Sequence, residues 1–158
     1  MKKLNAIGLD LEKSKEMAEK LNDLLANFSI FYVNLRGFHW NIKGEKFFEL
    51  HDKFEEIYDD TEVKIDEIAE RVLTLSFTPI HAYSDYIKMS EIKEVKNMSD
   101  GRATVENLLS SFQTLLAKER AILAMAGDMD DEGTNAKMSD YIREQEKTVW
   151  MLSSYLNK

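Results

Sequence analysis

Residues 46–75 read KFFELHDKFEEIYDDTEVKIDEIAERVLTL, and the rest of the chain is best read outward from this stretch. Wound at about 100° per residue, Leu50, Phe54, Ile57, Tyr58, Ile65, Ile68, Val72 and Leu75 fall on one apolar stripe. The segment is therefore predicted as one long amphipathic helix. Pro79, which a helix interior does not accept, lies just beyond it. Lys53, Glu56, Asp60, Lys64, Glu67 and Arg71 form a mixed-charge sector, expected to face solvent. His51, Glu55, Asp59, Glu62, Asp66 and Glu70 form a third sector, made only of metal-ligand residue types. A solvated acidic face is the ordinary explanation of such a stripe. Three features weigh against it: it borders the core, it contains a histidine, and it lacks the i,i+4 Lys or Arg partners that support a merely solvated helix. Imidazole with several carboxylates is a donor set for iron, manganese or zinc.

Three further helices follow from the same periodicity. One begins near Asp10, an N-cap residue type with Glu12 in the first turn. Its stripe is Leu21, Leu24, Leu25, Phe28, Tyr32, Leu35 and Phe38, with His39 in phase. Gly44 marks a short connection to the 46–75 helix, whose start Glu45 favours electrostatically. From 76 to 100 the pattern breaks, except for a short helix expected at 84–89. Helices are then predicted over about 102–126, ended by Gly127, and about 134–155. Two short connections make two antiparallel hairpins, and the long middle one can cross the length of a bundle. That is an all-α, ferritin-like four-helix bundle with a long crossover. An up-down-up-down bundle with a decorated loop is the alternative.

Composition agrees and excludes other classes. The 158 residues make one domain, 1–158, with a short N-terminal extension, 1–9. One Pro and six Gly are too few for a turn-rich β fold. No cysteine is present, which removes disulfides, thiol catalysis and Cys-based metal sites, and suits a reducing cytoplasm. No apolar run reaches the roughly 20 residues of a membrane span, and the first residues lack a signal-type apolar stretch. The net charge is −8, and the only terminal lysines are Lys2, Lys3 and Lys158, so DNA binding is expected to be weak or absent.

The usual di-iron bundle site takes Glu-x-x-His from two helices. The histidines stand at 39, 51 and 81, preceded three residues earlier by Arg36, Phe48 and Thr78, so that site cannot be built. His51 and Asp66 are 15 residues apart, about 22 Å along a helix, too far to bind one ion within a chain. Two 46–75 helices paired antiparallel about a two-fold axis remove the difficulty. His51 opposite Glu70 and Glu55 opposite Asp66 satisfy the same register. His51 and Glu55 of one copy then meet Asp66 and Glu70 of the other, twice per pair, and His39 can close each site.

The residues His39-Trp40-Asn41-Ile42-Lys43-Gly44, Phe47-Phe48-Glu49-Leu50-His51 and Glu55 resemble the first signature of the Dps proteins, or miniferritins. Ile65-Asp66-Glu67-Ile68-Ala69-Glu70-Arg71, with Pro79 downstream, resembles the second. The Asp131-Glu132-Gly133-Thr134 turn extends the likeness over most of the chain. The resemblance implies a hollow homododecamer with ferroxidase centres at its two-fold interfaces. It assigns His39, His51 and Glu55 to one subunit and Asp66 and Glu70 to its neighbour. It implies iron as the metal, with zinc or manganese as possible substitutes. It further implies an oxidoreductase acting on metal ions, which prefers hydrogen peroxide, stores ferric mineral and protects against oxidative stress. Two positions depart from the family pattern: Glu55, where Asp is common, and Ser76, where Gly, Asp or Asn is usual.

Other residues carry smaller expectations. Trp40 is expected first to pack, with a second role, implied by the family, of absorbing oxidising equivalents beside the centre. Glu119 and Gln145 lie within apolar stripes and are expected to share an internal hydrogen-bond network; a metal role for Glu119 is the lesser reading. Asp128, Asp130 and Asp131 are either an ordinary polar turn or the lining of a three-fold cation pore. Glu56, Asp59 and Glu62 stand near a possible mineral-nucleating wall, a matter the helical wheel leaves open. His81 is expected to be simply exposed.

Overall fold

The computed structural model describes all 158 residues. Four long helices, α1 (Leu11–Asn41), α2 (Phe47–Thr74), α4 (Gly101–Asp128) and α5 (Glu132–Tyr155), carry the fold, and α3 (Tyr83–Met89) interrupts the crossover. There is no β-strand, only isolated bridges, Leu4 with Asp10 and Lys43 with Asp100. The all-α class and the short crossover helix expected from the sequence are both present.

Capping sets the helix starts. Asp10 accepts a hydrogen bond from Lys13 N at 3.0 Å, and Asp100 accepts from Ala103 N at 2.8 Å. Two predicted boundaries shift. The 102–126 helix runs past Gly127 to Asp128, and Asp130 instead takes the left-handed backbone at φ 60°. The last helix starts two residues early, at Glu132, because Asp131 N-caps it through Thr134 N.

The crossover decides the topology. It begins where Asn5 reaches the carbonyl of Leu75, near the start of α1, and ends where Lys43 N donates to Ser99 O, near the end of α1. It thus travels the whole bundle, and α4 runs parallel to α2, as the ferritin-like reading requires. Up-down-up-down connectivity is excluded. Asparagines along α1 hold the crossover in register. Asn22 bonds Thr78 and Ile80, Asn27 Oδ1 accepts from Ser90, Glu91 and Ile92, and Asn34 bonds Lys93 and Val95. These side chains satisfy backbone groups that an irregular segment would otherwise leave unpaired.

α1 is the most enclosed helix because α2, α3 and α4 all pack against it. Phe28, Phe31, Leu35, Phe38, Phe54 and Ile68 are fully buried and join the hairpins into one core. The mixed-charge sector of α2 does not face solvent throughout. Lys64 is only 3% exposed, Lys137 of α5 pairs with Glu67, and Arg71 pairs with Asp131. That sector lies against α5, and the His/Asp/Glu sector is left as the free face.

Candidate metal centre

The short α1–α2 turn brings two histidines face to face. Gly44 permits the turn with φ 115°, a conformation that a side chain resists. The imidazoles of His39 and His51 stack at 3.7 Å between centroids, 12° from parallel. Each holds the other's backbone: His39 Nδ1 donates to His51 O at 2.6 Å, and His51 Nδ1 donates to His39 O at 2.7 Å. The His39 carbonyl is one of the last four of α1, which lack helical partners. A carbonyl offers no proton, so both Nδ1 atoms carry hydrogen, and in the neutral rings both Nε2 atoms keep a lone pair. This is the arrangement a histidine ligand needs, with one ring nitrogen fixed and the other free to coordinate. Phe47 stacks on His51 at 5.0 Å and Tyr58 meets His39 edge-on at 5.4 Å, so neither ring swings freely.

Glu55 lies one turn beyond His51 and is exposed. Burial, aided by the charges of Glu55 and Asp59, pushes the Tyr58 phenol above its ordinary value, while Arg36 opposes. Asp66 and Glu70 are exposed neighbours on the next stretch of the same face. A hydrogen bond to Asp66, then the Asp66 charge itself, raises the Glu70 carboxyl above the usual carboxylate range. The two carboxylates crowd each other, and a bound cation would relieve that repulsion.

The structure therefore assembles His39, His51 and Glu55 as one group, and Asp66 with Glu70 as another. It does not bring the groups together: no three His, Asp or Glu side chains of the chain converge on a metal position. Trp40, beside His39, does not pack into the core. The residue is 63% exposed, with the Arg36 guanidinium over its ring at 4.7 Å.

The internal network is present. Gln145 Nε2 donates to Glu119 Oε2 at 2.9 Å, and burial pushes the Glu119 carboxyl up to about 8 against the opposing effects of Gln145, Lys64 and Arg120. Of the acids in the α4–α5 turn, Asp131 is buried and committed to Arg71, Thr134 and the α5 N-terminus. Only Asp128 and Asp130 remain exposed there among the three pore candidates. The buried role of Lys64 was missed by the sequence reading. Its signal was Asp60 one turn before it, an ion pair that also fits an exposed helix.

A full-length crossover and a face of split histidine and carboxylate donors define a ferritin-like helical bundle. A family model of the ferritin-like domain matches residues 18–158. The DNA protection during starvation protein of Porphyromonas gingivalis is 44% identical over 159 residues, covering 100% of both chains. A second protein of that name, from Bacillus anthracis, is 34% identical over 92% of this chain and 99% of its own. The crystal structure of a Dps protein from Vibrio cholerae O1, described as a ferritin-like diiron-carboxylate protein, superposes with a TM-score of 0.96. It is 56% identical, with 97% of this chain and 96% of that one covered. The chain belongs to the Dps family of ferritin-like proteins. No helix is long and apolar enough to cross a membrane.

Proposed function

We propose that this protein oxidises Fe(II) at centres shared between two copies of the chain, prefers hydrogen peroxide as oxidant, and stores the ferric product within a dodecameric shell. One observation carries the proposal. His39 and His51 are locked with free Nε2 atoms on the same face as exposed carboxylates that they cannot reach within the chain. A second chain, antiparallel along α2, supplies the missing half. His39, His51 and Glu55 of one subunit bind Fe(II) together with Asp66 and Glu70 of the partner subunit. Neutral imidazoles suit the ferrous ion, and the carboxylates favour the more highly charged ferric ion. Two Fe(II) and one hydrogen peroxide, with two protons, give two Fe(III) and two water molecules, so no hydroxyl radical is released. The chain is then an oxidoreductase acting on metal ions, and it removes peroxide and free iron together. Zinc and manganese fit the same donors and would compete. Trp40, beside His39, is the nearest exposed indole for a stray oxidising equivalent.

DNA contact forms no part of the proposal, although the relatives' name refers to DNA protection. The net charge is −8, and the N-terminal segment folds back, with Asn5 bonded to Ser14 and Leu75 and Lys2 near Asp10. The cysteine-free composition suits action in the cytoplasm. The test is anaerobic Fe(II) loading followed by hydrogen peroxide, with ferric absorbance recorded for the wild type and a His51→Ala/Asp66→Ala variant. Fast oxidation at about two iron per peroxide, a soluble ferric product and loss in the variant are expected. Oxidation no faster than in buffer overturns the proposal.

A further inference from the structure

Independently of the shared centre, we propose that Lys64 is a resident counter-cation that keeps divalent metal ions out of the bundle interior, and that the oxygens around it become a metal site when its charge is removed. Lys64 enters the bundle from α2 and is 3% exposed. Its ammonium donates to Asp60 Oδ2 at 2.5 Å and to Glu144 Oε2 at 2.8 Å, and lies 5.0 Å from the centre of the Tyr141 ring. A cavity of about 130 Å³ opens here between α2 and α5, bounded by Asp60, Lys64, Glu144, Gln145 and Thr148. That is room for several water molecules at roughly 30 Å³ each.

Deeper in, Gln145 holds Glu119. Glu119 Oε1, Gln145 Oε1 and the Tyr141 hydroxyl have no hydrogen-bond partner, although all three residues are at least nine-tenths buried. Unsatisfied buried oxygens are costly, and such a group in a folded protein requires an explanation. Here Glu119 and Gln145 are bonded to each other, and the half-exposed carboxylates of Asp60 and Glu144 share one ammonium beside the cavity that Gln145 also lines. Asp60, Glu119, Glu144 and Gln145 come from three helices, and all offer hard oxygen donors suited to Mn²⁺, Fe²⁺ or Mg²⁺. The core between facing helices is where bundles build metal sites.

Lys64 fills that role in place of a metal. It neutralises Asp60 and Glu144, and its charge repels a second cation from the same cavity. Its hydrogen bonds to the two carboxylates, with their charges, outweigh burial and raise its pKa, so it stays charged. No three acidic or histidine side chains converge on a metal position in the wild-type chain, so a site here requires Asp60 and Glu144 to turn inward once no ammonium holds them. Metal is thereby confined to surfaces that two copies can share, and the packed core is spared ferric product.

The test uses Mn²⁺ alone as probe, followed by calorimetry and by loss of the free ion's electron paramagnetic resonance signal. The parent is the assembled His51→Ala protein, in which the interface donor set has lost one of its two imidazoles. Lys64→Met and Lys64→Gln are each expected to gain one Mn²⁺ per chain over the parent, bound at least ten-fold more tightly than any site in it. The gain disappears in Lys64→Met/Glu119→Gln, and Lys64→Arg, which keeps a cation, does not show it. Mn²⁺ also raises the melting temperature of Lys64→Met but not that of the parent. Unchanged stoichiometry in Lys64→Met and Lys64→Gln overturns the proposal. Wild-type crystals soaked in Mn²⁺ test it without any variant: no anomalous peak is expected between Glu119 and Glu144, and a peak there with Lys64 in place overturns it.

Discussion

Mixing His51→Ala with Asp66→Ala protomers is expected to restore iron oxidation that neither variant has alone. A helix rises about 1.5 Å per residue, which separates His51 from Asp66 by about 22 Å. On the proposed function, each shared centre therefore draws its imidazoles from one chain and Asp66 from the other. In a mixed pair, one centre carries both lesions and the other carries none. Random pairing makes about half of all pairs mixed, and one of two centres in each is intact, so about one quarter of wild-type activity returns. A control separates this from general rescue. His51→Ala with Glu55→Ala places both lesions on the same half, so every centre keeps one lesion and nothing returns. The variants are refolded together in equal amounts and checked for assembly by light scattering. They are then loaded anaerobically with Fe(II) and assayed for the initial rate of ferric absorbance after peroxide. If the mixture shows only the average of its two components, the centre does not lie between two α2 helices.

Three further outcomes follow from the structure. Glu119 keeps a proton up to about 8 in the fold against an ordinary 4.5, so between those values the folded chain binds a proton that the unfolded chain has lost, and stability falls as pH rises by about 4–5 kcal/mol in all. Glu119→Gln is expected to flatten urea-unfolding stability across that window and to exceed wild type at pH 8; parallel slopes in the two proteins refute the assignment. Ser76 sits at φ 79° after α2, where a non-glycine residue is strained, and Ser76→Gly is expected to stabilise by about 0.5–1 kcal/mol, read as a rise in melting temperature of a few degrees. A Cβ at Gly133 would stand 2.8 Å from the Arg71 guanidinium, which cannot swing aside without losing its bonds to Thr134 and the buried Asp131, so Gly133→Ala is expected to cost about 1–3 kcal/mol. Adding Arg71→Ala should then cost little more, and full additivity in thermal melts sinks the coupling.

The helices were legible because their stripes are long, and because Asp10 and Pro79 mark boundaries by simple local rules. The topology was legible from connection length alone. The asparagines at 22, 27 and 34 were not, because a polar residue on a helix reads the same whether it meets water or a crossover backbone. Lys64 was misread for a related reason. Its i,i+4 partner Asp60 satisfies the rule for an exposed pair, and only α5, distant in sequence, shows that the ammonium is buried. At the candidate site, spacing identified which donors share a face and which cannot meet within one chain. It was silent on the reciprocal Nδ1–carbonyl bonds, since these depend on two helix ends meeting at Gly44. Asp131 shows the converse: an acid in an acidic turn invites a pore reading, yet its carboxylate is spent on Arg71 and the α5 N-cap.

The exposed face of α2 carries a further consequence for assembly. Glu55, Asp59, Glu62, Asp66 and Glu70 are all exposed and have no cation among them on that face, and the raised Glu70 carboxyl already registers the crowding. Pairing two such faces doubles the density of negative charge unless something positive enters. On the shared-centre reading the iron does this, because each ion is held by donors from both chains. A ligand that binds only the paired state stabilises pairing by the free energy of its own binding. Metal loading and assembly are then reciprocally coupled, and each must strengthen the other by the same factor. The histidine half, rigid through its stacked and mutually bonded rings, gives the ion a fixed starting position. The carboxylate half, exposed and crowded, supplies the negative charge that the metal would neutralise. On that reading, the fold leaves this acidic face uncovered at the place where a bound cation and a second copy of the chain become mutually dependent.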